Sequence, residues 1–258
     1  MASILFEIKN SIASITLNRP EKFNAFNHEM AIALLEKLDE CEKNISIRCV
    51  CLTGAGKAFC SGQDLAEVID PNGPGMERIL LEYYNPIVRS IRNLNKPVVA
   101  AVNGVAAGAG ANIALCCDVV IAAESAVFIQ AFSKIGLIPD SAGTYFLPRL
   151  IGFQKASAIM MLGDKISAAE AEKIGMIYKY FPDDKFLTET KNIAFTLSQL
   201  PTKSLAYSKN ALNKSLEQNL EQQLNTESIY QLKAAATNDF REGIAAFIEK
   251  RKTNFKGD

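Results

Sequence analysis

The sequence predicts an α/β fold that carries a helical C-terminal appendage. Strand-like and helix-like runs alternate up to about residue 150, glycine-rich stretches follow two of the strands, and helical patterns dominate thereafter.

Residues 3–8 and 12–17 alternate polar and apolar side chains around Lys9-Asn10-Ser11, a hairpin signal. Asn18-Arg19-Pro20 breaks that pattern. Asn27 then caps a helix through about residue 43, on which Met30, Leu34, Leu35 and Leu38 recur at helical spacing. Arg48 to Thr53 reads as a compact strand before the Gly54-Ala55-Gly56 turn, and an apolar helix follows from about 76 to 93. Lys96-Pro97 opens PVVAAVNG, a strand so apolar that both faces should be buried. Beyond residue 150 strand signals fade. Helical patterns cover 154–162, 167–174, 184–200, 202–213, 215–236 and 240–250, with no internal repeat and no low-complexity linker.

Composition narrows the function. The 28 basic and 28 acidic residues balance to a formal net charge of zero, which argues against a nucleic-acid binder. No run approaches 18 apolar residues and the N-terminus lacks a signal-peptide pattern, so a soluble, cytoplasmic protein with no membrane partner is expected. The six cysteines form no paired CxxC motifs at zinc-ligand spacing. Buried reduced thiols and no metal site are expected.

Two stretches of small residues follow strands: Phe59-Cys60-Ser61-Gly62-Gln63-Asp64-Leu65, and Asn103 to Asn112 with Gly104, Gly108 and Gly110. Small side chains let main-chain N–H groups approach a ligand, and two such amides converging on one oxygen would stabilise an oxyanion. Either stretch alone could equally serve close strand–helix packing. The second lacks GxGxxG spacing and a Walker lysine, so a nucleotide fold is weakly supported.

Together these stretches resemble the crotonase, or enoyl-CoA hydratase/isomerase, superfamily. The resemblance spans nearly the whole chain, through ITLNRPEKFNAFN, LTGAGKAFCSGQDL, KPVVAAVNGVAAGAGANIALCCD and REGIAAFIEKRKTNF. It implies a core of repeated ββα turns over residues 1–200, a helical trimerisation region over 201–258, and a homotrimer or dimer of trimers. It also implies that Gln63 and Ala109 supply the two oxyanion amides for an acyl-CoA thioester. Lys22, Ala25, Ser61, Gly62, Asp64, Leu65 and Gly108 would line the substrate channel, and Tyr83 and Phe132 the acyl pocket. Phe247 and Lys250 would reach the CoA nucleotide of a neighbouring subunit. No cofactor is implied, since coenzyme A belongs to the substrate.

Within the family, hydratases place two glutamates where this chain has Asn112 and Phe132, neither of which can act as an acid or base. Isomerases of the family instead use an acidic residue at the position of Asp140. Read on its own, Asp140 in Pro139-Asp140-Ser141-Ala142-Gly143 would be a helix cap; the resemblance makes it the catalytic acid/base. Its neighbours Phe132, Ile135, Leu137 and Ile138 should bury it and raise its pKa. AVNGVAAGAGA, AFSKIGLIPD and YYNP resemble the branch that isomerises ring 1,2-epoxyphenylacetyl-CoA, with Ala142 and Tyr145 as departures. Relatives that shift a cis-3 double bond to trans-2 would use the same Asp140, and a non-catalytic CoA-ester-binding subunit is a third reading. The only histidine, His28, begins a helix and is expected at the surface.

Overall fold

The computed structural model describes residues 2–258. Strands β1 (Ile4–Lys9) and β2 (Ile12–Leu17) form an antiparallel hairpin with Ile4 opposite Leu17. Its turn holds Asn10 at φ 52° and Ser11 at φ 62°, the left-handed pair that matches the twist of a two-residue hairpin. Helix α1 (His28–Lys43) starts where the Asn27 side chain accepts from the Met30 N–H at 3.1 Å. It buries Met30, Leu34 and Leu38, while Leu35 is only half-buried.

A repeating unit then builds the core: one strand, a second short strand, then helix. The first unit is β3 (Cys49–Gly54), β4 (Ala58–Cys60) and the helices α2 (Leu65–Ile69), α3 (Gly75–Arg78) and α4 (Asn85–Asn93). The second is β5 (Val98–Val102), β6 (Val105–Ala107) and α5 (Ala109–Leu115). The third is β7 (Val119–Ala123), β8 (Val127–Ile129), α6 (Gly143–Ile151) and α7 (Phe153–Leu162). The first strand of each unit joins a six-stranded sheet and the second a four-stranded one. From β2 onward the six-stranded sheet is parallel, and β5 at its centre is buried along its whole length.

The structure corrects the reading at three places. The helix expected over 76–93 contains a π-helical turn, Ile79–Tyr84. Pro86 has no N–H to offer the Glu82 carbonyl, and the ladder widens there, with the Asn85 N–H donating to Leu80. Strand character does not end at 150. β9 (Lys165–Ser167) pairs antiparallel with β8, and β10 (Lys179–Phe181) adds to the edge of the large sheet beside β7, on either side of α8 (Ala168–Lys173). At three residues each, neither is long enough to show alternation. Helices α9 (Asp183–Gln199), α10 (Thr202–Ser215), α11 (Leu220–Ala235) and α12 (Asn238–Glu249) follow. The α11 start lies at 220 rather than 215 because Asn219 and Gln222 form a reciprocal capping box.

Cations seat the last helices on the core. Arg48 donates to the Leu200 carbonyl (2.7 Å), the Thr202 hydroxyl (3.0 Å) and the Phe255 carbonyl (2.9 Å). Buried Lys209 meets Asp118 at 2.8 Å, and Arg92 reaches the other oxygen at 3.1 Å. All six cysteines are free and buried, and burial pushes the Cys41, Cys51 and Cys60 thiols up to about 12, too high for a nucleophile at neutral pH. Among the described residues no helix is long and apolar enough to cross a membrane.

Candidate active site

The segment after β4 is stitched to residues 23–26. Ser61 N–H donates to Phe23 (3.0 Å), Phe26 N–H to Gly62 (2.7 Å) and Asp64 N–H to Phe26 (2.8 Å). The Gln63 N–H lies between these bonds and meets no protein acceptor among the described residues. Buried Asn24 holds the facing segment. Its side chain donates to Ala55 (2.9 Å) and Ala58 (2.8 Å) and accepts from the Arg19 N–H (2.9 Å).

The second stretch supplies a matching group. Gly108, at φ 52°, turns the chain from β6 into α5, so Ala109 is the first helical residue and its N–H has no partner within the helix. Glycine geometry brings the two stretches together. A Cβ on Gly62 (φ +99°) would lie 3.1 Å from the Ala107 carbonyl and 3.6 Å from the Ala109 nitrogen. One on Gly110 would sit 2.4 Å from the Cys60 carbonyl, so α5 rests directly on the end of β4. Phe132 is buried, and its ring is 3.7 Å from the place a Gly108 Cβ would take.

Asp140 is not a helix cap. Helix α6 begins at Gly143 behind Ala142, without a side-chain capping bond. The carboxylate accepts from the Ser141 hydroxyl at 3.0 Å. Burial raises its pKa to about 6, against the opposing pull of that bond. The expected burying neighbours are mostly wrong: Ile135, Leu137 and Ile138 are 54%, 40% and 82% exposed, and only Phe132 is inside. The turn is instead tied from beneath. The Asp140 carbonyl accepts from Asn112 Nδ2 (2.9 Å) and the Gly143 N–H (2.8 Å), and Asn112 Oδ1 accepts from Gln130 (2.7 Å). Ser141 (φ 49°) and Ala142 (φ 59°) are both left-handed, a conformation that costs a non-glycine residue about 1–2 kcal/mol.

A second polar chain fixes the Gln63 side chain. It accepts from the Tyr84 hydroxyl at 2.7 Å and donates to Glu67 at 2.8 Å, and Glu67 in turn accepts from the His28 N–H at 2.9 Å. Exposed His28 pairs with the Tyr83 hydroxyl at 2.9 Å. The Tyr84 pKa lies well above its usual value, through burial first and then the charges of Cys60, Asp140 and Glu67. Sequence reasoning missed Glu67 and Gln130. The i, i+4 spacing of Gln63 and Glu67 was a usable signal, whereas nothing local marks Gln130.

The remaining expected residues fall into two groups. Exposed Lys22 gives its carbonyl to Ala25 (3.0 Å) and to the Ser61 hydroxyl (3.3 Å), and buried Ala25 gives its own to Arg19 (2.6 Å). Asp64 pairs with Arg19 at 2.9 Å and caps α2. Burial pushes its pKa up, but these bonds and nearby Lys22 outweigh it and hold the carboxyl below its usual value. Asp64 thus orders the loop, with Leu65 half-exposed beside it. Phe247 and Lys250 lie elsewhere. Phe247 lines a groove of about 980 Å³ between α10, α11 and α12, which touches neither glycine-rich stretch, and Lys250 ends α12. Within one chain these two do not reach the site.

The Gln63 and Ala109 N–H groups are unpartnered among the described residues, and the turn that carries the raised Asp140 carboxyl is tied to α5 through Asn112. Two such donors can stabilise a negative oxygen while a carboxyl moves a proton on an adjacent carbon. Comparison with known proteins places the chain in a family. Residues 7–258 match the family described as enoyl-CoA hydratase/isomerase. The chain is 45% identical to a 1,2-epoxyphenylacetyl-CoA isomerase of Escherichia coli K12, over all of this chain and 99% of that relative. It is 43% identical to a Rhodobacter capsulatus protein named "Probable enoyl-CoA hydratase", covering 99% and 98% of the two chains. The solved structure of an enoyl-CoA hydratase from Polaromonas sp. JS666 superposes with a TM-score of 0.91 at 34% identity, covering 98% of this chain and 99% of that one. The two-sheet core with its helical C-terminal region is the crotonase fold, and the chain belongs to the enoyl-CoA hydratase/isomerase family.

Proposed function

We propose that the chain is an acyl-CoA isomerase with Asp140 as its acid/base, and that its substrate is ring 1,2-epoxyphenylacetyl-CoA, converted to the oxepin form. The observation that carries this reading is the contrast between positions 112 and 140. The first holds a buried amide already bonded to Asp140 and Gln130, and the second holds a carboxyl at about 6. Adding water requires a group to activate it, and Asn112 and Phe132 offer none. Isomerisation requires one carboxyl that can take and return a proton.

The thioester oxygen accepts from the Gln63 and Ala109 N–H groups. The Asp140 carboxylate removes a proton from the carbon beside the carbonyl, and the electron pair moves onto that oxygen. In the ring-epoxide substrate the carbon–carbon bond shared by the epoxide and the six-membered ring breaks as the ring π electrons redistribute, which gives the seven-membered oxepin. The protonated Asp140 returns its proton to the carbon γ to the thioester carbonyl, leaving a double bond conjugated with that carbonyl. Each oxyanion donor contributes about 3–4 kcal/mol, and the acid/base step roughly a hundred- to ten-thousand-fold. No cofactor beyond the substrate's own CoA takes part. The choice of acyl group is supported by the Escherichia coli relative. We further propose a cytoplasmic trimer built through the C-terminal helices. Leu224, Leu232, Ile244 and Phe247 stand exposed there, and Phe247 and Lys250 would then face a neighbour's CoA.

The test is Asp140→Asn, assayed with ring 1,2-epoxyphenylacetyl-CoA and with a cis-3-enoyl-CoA. The expected result is loss of turnover by about a hundredfold or more with acyl-CoA affinity retained. Unchanged turnover would remove Asp140 from its role. Wild-type turnover of the cis-3-enoyl-CoA alone would assign the fatty-acid isomerase, and rapid hydration of a trans-2-enoyl-CoA would contradict both.

A further inference from the structure

We propose that Asn112 and Gln130 are positioning residues for Asp140, holding the turn at 139–143 in the backbone conformation that aims its carboxyl at the substrate. The inference rests on the isomerase reading above. Two consecutive non-glycine residues in left-handed conformation, Ser141 and Ala142, make this turn intrinsically unfavourable. It therefore needs a tie from outside itself. The Gly143 N–H bond to the Asp140 carbonyl is local to the turn, whereas the Asn112 bond comes from 28 residues earlier.

The polar geometry fixes each amide's orientation. The Asp140 carbonyl can only accept, so Asn112 must present its NH₂ there and its oxygen to Gln130, which must in turn present its own NH₂. This order leaves Gln130 Oε1 buried with no partner among the described residues. Gln130 and Asn112 are each 1% exposed, so the pair sits where apolar side chains would leave no orphan acceptor. Such an arrangement fits an orienting task better than a stabilising one. Space is equally specific: a Cβ on Gly143 would fall 2.3 Å from Asn112 Nδ2, so only glycine admits this contact.

Asn112 also lies one helical turn after Ala109 on α5. A single rigid segment thus carries one oxyanion amide at its start and the tie to the base three residues later. The distance between the stabilised oxygen and the proton-transferring carboxyl is set by one helical turn and one hydrogen bond. An acid at position 112 would lose that donor and place a charge beneath Asp140.

The test is a double-mutant cycle of Asn112→Ala and Ala142→Gly, followed on a cis-3-enoyl-CoA or the ring-epoxide thioester, whichever the wild type turns over. Asn112→Ala is expected to lower kcat roughly 10- to 100-fold, the range of an ångström-scale misplacement, with KM little changed and the melting temperature lower by several degrees because buried Gln130 Nε2 loses its partner. The Gly143 amide should exchange faster with deuterated solvent. Ala142→Gly relieves the left-handed strain, so in the Asn112→Ala background it should recover kcat about fivefold or more, beyond any effect it has alone. Gln130→Leu, which is less disruptive should Asn112→Ala fold poorly, should lower kcat about three- to tenfold, as loosened support for a site does. A kcat near wild type in both variants, or additive Ala142→Gly effects, would overturn the proposal. So would a loss carried by KM. Asp140→Asn is run alongside. If it keeps turnover, the isomerase reading and this inference fail together; if it abolishes turnover while Asn112→Ala and Gln130→Leu do nothing, only the positioning role is refuted.

Discussion

Replacing Asp140 by asparagine should stabilise the protein above pH 6 even as it removes the proposed base. Burial lifts the carboxyl from 3.8 to about 6, so the folded chain holds this proton more tightly than the unfolded chain. A raised carboxyl favours folding fully below its unfolded pKa, and that contribution is lost as pH rises through about 6. At 1.36 kcal/mol per unit, two units set a ceiling of about 3 kcal/mol. Asp140 is only half-buried, so solvent screening should reduce the penalty to about 1–2 kcal/mol. Asparagine keeps an acceptor for Ser141 without the charge. Urea unfolding of both proteins should show the variant about 1–2 kcal/mol more stable at pH 8, with the difference fading by about pH 4. An equal difference at both pH values, or a variant less stable at pH 8, would refute burial as the cause of the raised pKa.

Further outcomes follow from the same contacts. The kcat/KM of the wild type should fall as pH drops through about 6, as the Asp140 carboxylate is protonated, and a limb displaced to 4 would exclude it. Gly62→Ala forces a side chain into left-handed backbone 3.1 Å from the Ala107 carbonyl. By separating the two amides it should lower kcat roughly a hundredfold or more, as loss of an oxyanion donor does, with the fold retained by circular dichroism. Tyr84→Phe leaves Gln63 Oε1 unbonded and should cost about 1–3 kcal/mol in chemical denaturation. Arg48→Ala strands the Leu200 and Phe255 carbonyls and should lower the melting temperature by several degrees without changing kcat.

The legible parts of the molecule were those written locally. The hairpin at Asn10-Ser11, the Asn27 cap and the buried β5 each have their cause within a few residues. β9 and β10 escaped because three residues cannot display a period, and the π turn escaped although Pro86 marks it. At the site, the two glycine-rich stretches advertised unpartnered amides, but the glycines do more than permit approach: Gly62 and Gly110 set the contact between the stretches. Ile135, Leu137 and Ile138 misled because apolar residues were assumed to face inward, and here they line the surface. The tie from Asn112 to the Asp140 carbonyl joins positions 28 apart in the chain. Its left-handed turn is built from serine and alanine, which carry no sequence signal for it.

The central claim is one oxygen held by two main-chain donors beside one carboxyl. A crystal structure with a non-reactive acyl-CoA analogue tests it most directly. The thioester oxygen should lie about 2.7–3.1 Å from the nitrogens of both Gln63 and Ala109, with Asp140 over the carbon beside the carbonyl. An oxygen bound elsewhere, or an Asp140 carboxylate turned away from that carbon, would contradict the account.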